Sequence, residues 1–173
     1  MAHIVAVILG EDRKTLDQEV DAEFFENFEG ELDITSLEID GVEFGSVLSS
    51  PKAIQQYIDQ IEESSALPYP VEVYLACIKR YHATNPDFDD VRQQVDNYFV
   101  ESADKAPFVD PEKDFAIERA NDFLEAFNTP HVSKEQFNTL LNHFDYDAYQ
   151  QTIFTNDYDA VELDGTVYFF TKN

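Results

Sequence analysis

Between Lys14 and Lys52 this chain runs through eleven Asp and Glu residues without a single Lys or Arg. Acidic blocks of that length normally repel themselves into disordered arms, so the stretch can fold only if apolar residues are threaded through it. They are, at Val20, Phe24, Phe25, Phe28, Leu32, Ile34, Leu37 and Ile39. The same conflict extends over all 173 residues, where 36 acids stand against 11 bases and leave a formal charge of −25. A hydrophobic content of 43%, with fifteen Phe and nine Tyr, takes the chain out of the disordered class. The expectation is a folded protein with a strongly negative surface. Such a surface excludes nucleic acid and anionic membranes as partners.

One cysteine, Cys77, cannot build a disulfide framework or a zinc site of several thiolates. A reducing cytosol is the expected setting. The early apolar run over residues 4–9 lacks a basic leader and meets Glu11 and Asp12 at once, so it reads as neither signal peptide nor membrane span.

Organisation follows from turn and cap signals. Residues 1–48 read as a β-rich acidic unit, with β-branched residues at 4–9 and an alternation through Leu37, Ile39, Val42 and Phe44 broken by the hairpin dipeptide Asp40-Gly41. Residues 15–29 suit either period and are read as helix. Residues 49–130 read as a helical bundle, because proline marks four helix starts at Ser50-Pro51, Pro70, Asn85-Pro86 and Asp110-Pro111. These helices are expected to run to about residues 63, 82, 101 and 127. Apolar faces agree: Val71, Tyr74, Leu75, Ile78 and Tyr81; Val91, Val95, Tyr98 and Phe99; Ile117, Ala120, Leu124 and Phe127. Residues 131–173 form a short α/β unit, opened by a Ser133/Gln136 capping box and closed by strands around Asp164-Gly165. The fold class is α+β: an elongated chain of small units with a β-rich start, a helical middle and a terminal β-hairpin.

Catalytic chemistry finds little footing. No motif places a Ser or Cys beside a base, the four histidines lack ligand spacing, and five glycines supply no phosphate loop. Asp87, Asp89 and Asp90, or Asp157 and Asp159, have the chemistry for a hard cation. The EF-hand spacing fails, however, since Val161 stands at a ligand position and Glu162 at the loop glycine. No catalytic residue, no metal and no cofactor is expected; a metal-dependent enzyme is the weakest of the readings.

Net charge itself is the functional signal. Solubility is served by a net charge of magnitude about 2–8, far below what this chain carries. Duplex DNA holds one charge per about 1.7 Å of axis, so 25 charges match roughly 43 Å, or about a dozen base pairs. Asp110, Asp114, Glu118 and Asp122 recur every four residues and form a carboxylate stripe with neighbours about 6 Å apart. The arithmetic is compatible with a DNA mimic, with a candidate surface of Asp17, Glu19, Asp21, Glu23, Glu26, Glu29, Glu31, Asp87, Asp89, Asp90, Asp96, Asp110, Glu112, Asp114, Glu118, Asp122 and Glu125. The competing class is a plain acidic cytosolic interaction domain, whose charge serves solubility or salt tolerance.

The segment Phe144-Asp145-Tyr146-Asp147-Ala148-Tyr149, with Gly165-Thr166 after it and Ala120-Asn121-Asp122-Phe123-Leu124-Glu125 before it, resembles the ArdA antirestriction proteins. The order of units also resembles that family over nearly the full length, and the amino-terminal third is divergent. Gln150-Gln151-Thr152 stands where the family has Gly-Arg-Asp, and the chain has no Trp. The resemblance implies an elongated, dimeric mimic of bent B-form DNA that occupies the DNA-binding channel of type I restriction-modification enzymes. Another phage or plasmid DNA mimic, such as an anti-CRISPR, is the alternative within this class, with another DNA-binding defence protein as its partner. The dimer is expected in residues 131–173, because the unbroken run Val167, Tyr168, Phe169 and Phe170 calls for cover on both strand faces.

Overall fold

Asp164 and Gly165 both take positive φ, +49° and +82°, in the computed structural model of the chain, as a type I′ hairpin turn requires. The structure describes residues 4–9, 15–20, 33–39, 42–44, 47–62, 67–81 and 84–172. Around the turn, β6 (Tyr158–Leu163) and β7 (Thr166–Thr171) pair antiparallel with Leu163 opposite Thr166. On its other side β7 pairs with β5 (Phe99–Asp104), so it is the middle strand of the order β5-β7-β6. The chain divides into two compact units, Met1–Asn97 and Tyr98–Asn173.

In the first unit, β1 (Ile4–Leu9) lies between β2 (Thr15–Val20) and β3 (Asp33–Ile39), and β4 (Val42–Glu43) follows β3. Ile39 opposite Val42 leaves the Asp40-Gly41 link of the expected hairpin, a dipeptide outside the described residues. Thr15–Val20 is a strand where a helix was expected; Thr15 and Val20 are β-branched, and pairing with β1 from Leu9↔Thr15 to Ile4↔Val20 decides between the two periods. Residues 21–29 lie outside the described residues.

Among its described residues this unit also holds the helices α1 (Pro51–Glu62), α2 (Val71–Tyr81) and α3 (Phe88–Tyr98). Val73 through Ile78 are buried without a break, so α2 is covered on all sides. Its Tyr74 stacks on Phe88 at 5.4 Å, Phe88 meets Tyr57 edge-on at 5.1 Å, and Tyr57 meets Phe44 at 5.9 Å. Asn85 ties two loops together: its Oδ1 accepts from the Ser49 and Ser50 amides at 2.7 and 2.9 Å, and its Nδ2 donates to Ser49 Oγ at 3.0 Å.

In the second unit, α4 (Pro111–Glu125) and α6 (Tyr146–Asn156) pack together, with α5 (Lys134–His143) between them in sequence. Phe115, Ala116, Ile153, Val167 and Phe169 form the core, where the Phe115 and Phe169 rings stack at 4.2 Å. Local signals account for the helix starts. Asp110 Oδ1 accepts from Lys113 N, Asp145 Oδ1 accepts from Ala148 N, and Ser133 with Gln136 closes the expected capping box.

Two further elements differ from expectation. Residues 99–101, read as the end of the helix after Pro86, begin strand β5, since Phe99 and Val100 satisfy a strand as readily as a helix and β7 supplies the ladder. Helix α6 was not foreseen, as only Ile153 among its residues is buried and its face is correspondingly faint. The expected boundaries at 48/49 and 130/131 are replaced by a single division at 97/98, because α4 packs with the C-terminal elements.

Candidate functional site

Helix α4 presents the carboxylates because its other face is occupied. Phe115, Ala116, Ala120 and Leu124 are buried, and this holds the remaining arc of the helix to solvent. Asp110, Asp114, Glu118 and Asp122 fall on that arc, and all four are exposed, as are Glu112 and Glu125. Asp110, Asp114, Glu118, Asp122 and Glu125 therefore share one exposed surface over about four turns, with like charges about 6 Å apart along the row, while Glu112 lies off that row, beside Asp147 and Phe154. That spacing is comparable to the separation of phosphates along one DNA strand.

The basic residues nearby do not cancel this field. The second unit holds 15 acids and 5 bases, a net charge of −10. Four of those bases are engaged within the unit: Lys105 with Glu162 at 2.8 Å, Lys113 with Asp147 at 3.7 Å, Arg119 with Glu101 and Asp122 at 3.4 and 3.6 Å, and Lys172 with Asp159 at 3.3 Å. The hydrogen-bonded Glu162 carboxylate holds Lys105 above the usual lysine range. Arg119 also lies over the Phe115 ring at 4.9 Å, so of the carboxylate row it meets only Asp122, at its edge.

In the first unit, Asp89, Asp90 and Asp96 are exposed on α3, whose Phe88, Val91 and Val95 point inward. Asp87 caps that helix. Its Oδ1 accepts from the Asp89 amide at 2.9 Å, and its Oδ2 accepts from Gln56 Nε2 at 3.3 Å. The Gln56 hydrogen bond, followed by the backbone ones, holds the Asp87 carboxyl below its ordinary range. Asp17 and Glu19 lie in edge strand β2, opposite Val7 and Val5. Asp21, Glu23, Glu26, Glu29 and Glu31 lie outside the described residues.

Three of the acids weighed for a cation have structural roles. Asp87 is a cap, Asp157 ends α6, and Asp159 pairs with Lys172. Among the described residues no three His, Cys, Asp or Glu side chains come together as a metal-binding group, and no helix is long and apolar enough to cross a membrane. An open depression of about 450 Å³ beside α4 is lined by Glu112, Asp147, Gln150, Gln151 and Phe154, which offer carboxylates and amides over one ring.

Val167, Tyr168, Phe169 and Phe170 are at most 7% exposed within the single chain. Cover on both faces of this strand was foreseen correctly, but it does not require a second copy. Val167 and Phe169 enter the core of the unit, and Phe170 meets Phe99 on strand β5 at 5.7 Å. These four side chains are therefore unavailable to a partner, and this corrects their assignment to a dimer interface.

The two segments that carry the family resemblance lie against each other. Tyr146 OH donates to Asn121 Oδ1 at 3.3 Å, Tyr149 OH donates to the Arg119 carbonyl at 3.5 Å, and Phe123 and Tyr149 stack at 6.0 Å. One feature escaped sequence reading: Phe108 stands fully in solvent, in a turn that Ala106-Pro107 announces but whose exposed side chain no periodicity reveals. Set against protein-family models, curated proteins and solved structures, the chain matches none of them.

Proposed function

We propose that this chain is a non-catalytic DNA mimic, an antirestriction protein that occupies the DNA-binding channel of a type I restriction-modification enzyme in the cytoplasm of a bacterial host. The observation that carries this reading is the exposed carboxylate face of α4, within a unit whose bases are largely engaged internally. Carboxylates spaced like phosphates attract the Lys and Arg of a DNA-binding groove and displace the same counterions that DNA displaces. Binding is then electrostatic, distributed over many groups and free of chemistry. The choice of a type I enzyme rests on the resemblance of residues 120–125 and 144–149 to the ArdA proteins.

The test is competition between the protein and DNA for a purified type I enzyme over a salt series. Inhibition stoichiometric with enzyme, indifferent to chelator, and weakening linearly in log affinity against log salt is the expected result. A salt-independent affinity, or activity lost in EDTA and restored by one divalent ion, overturns it.

Self-association belongs to this reading through a different surface from the one first expected. Helix α5 buries none of its residues and leaves Leu140 exposed, close in sequence to the exposed Phe127. Residues 126–144 carry one acid and one base, so this is a stretch where a second copy of a chain of net charge −25 can approach with little repulsion.

A further inference from the structure

The turn joining β5 to α4 places its largest side chain where it contributes nothing to the fold. Val109 N donates to the Ala106 carbonyl at 3.0 Å, closing a four-residue turn with Pro107 second and Phe108 third. Phe108 has φ +70°, the left-handed conformation that the third position of a type II turn demands and that glycine or asparagine normally fills. Its ring is wholly exposed, with a relative accessibility of 107%, and the neighbouring Val109 is 42% exposed. Backbone strain and an unburied ring both weigh against phenylalanine here, and glycine would relieve both.

The surroundings of this ring indicate what it meets. Asp104 precedes the turn in sequence and Asp110, Glu112 and Asp114 follow it, all exposed, while the two cations of the stretch, Lys105 and Lys113, pair with Glu162 at 2.8 Å and Asp147 at 3.7 Å. An apolar tip framed by carboxylates is repelled by nucleic acid and by anionic lipid alike. It is complementary to a protein surface rich in Lys and Arg that also contains a hydrophobic pocket. Aromatic anchors in such pockets dominate dissociation, whereas charges around them govern encounter and salt dependence.

We infer that Phe108, with Val109 beside it, is an apolar anchor that inserts into a hydrophobic pocket within the cationic groove of the target protein. This rests on the DNA-mimic reading and adds a contact that phosphates cannot make. The anchor is insensitive to screening, so it sustains binding at salt concentrations where purely phosphate-like attraction fades.

Phe108→Gly and Phe108→Asn, both compatible with positive φ, test it in the full-length protein against a purified type I restriction-modification holoenzyme at three salt concentrations. Both variants are expected to fold with an unchanged or higher melting temperature and to bind about tenfold more weakly at every salt concentration. Their loss should lie in faster dissociation, with the salt slope of the parent retained. Wild-type affinity in both variants overturns the anchor while leaving the mimic standing, as does a melting temperature lowered by several degrees, which makes the ring structural. Failure of the parent protein to bind the enzyme overturns the mimic reading, and the anchor with it.

Discussion

Cys77 shows how far a single residue's chemistry depends on its place in the core. It is 1% exposed on the fully covered helix α2, and burial pushes its thiol up to about 11, against the opposing pull of Arg80. The native state therefore favours the neutral thiol. Its contribution to stability is complete below the ordinary value of 9.0 and is lost as pH rises from there through about 11. In the folded protein at pH 8, maleimide should leave Cys77 unlabelled, and rapid labelling should appear only with denaturant. Fast labelling of the native protein would mean that α2 opens far more readily than its continuous burial implies.

At the scale of elements, the α4 row separates distributed attraction from a discrete site. Asp110→Asn, Asp114→Asn, Glu118→Gln and Asp122→Asn combined should reduce the salt slope of target binding by up to about four, near one per charge removed. Asp114→Asn alone should change affinity little. Asn is as good an N-cap as Asp, so the cap on Lys113 N survives the substitution at Asp110. Relief of three like-charge contacts, each about 0.2–0.5 kcal/mol, should leave the fold as stable or slightly more so. Circular-dichroism melting together with affinity at three salt concentrations checks both halves, and abolition of binding by one conservative change would point to a discrete site instead.

For the whole molecule, net charge makes the two proposed associations respond to salt in opposite directions. Binding to a basic groove weakens as salt rises. Self-association of two copies of charge −25 strengthens, because screening lowers their repulsion while apolar contact around α5 is little affected. Sedimentation at micromolar concentration should therefore show a dimer whose fraction grows with salt and which Leu140→Asp reduces to monomer. A monomer at every salt concentration, with inhibition undiminished, removes the dimer from the mechanism.

What is local or additive could be read before any tertiary neighbour was known. Net charge is a sum over residues, proline at a first helical position and the Ser133/Gln136 box act within one turn, and Asp164-Gly165 takes positive φ in its own backbone. Asp110, Asp114, Glu118 and Asp122 could be placed on one face for the same reason, since four-residue spacing on a helix needs no partner to define it. Questions that turn on a distant neighbour were answered by packing. Tyr98 and Phe99 continue the helical period of α3, and pairing with β7, some seventy residues on, converts the chain to strand at Phe99. The run from Val167 to Phe170 signals burial without naming its cover, and a cover supplied within the chain looks the same in sequence as one supplied by a second copy. Phe108 and Phe115 are the same residue type seven positions apart, one in solvent and one stacked on Phe169, because burial depends on where the rest of the chain packs and is not encoded in the side chain alone.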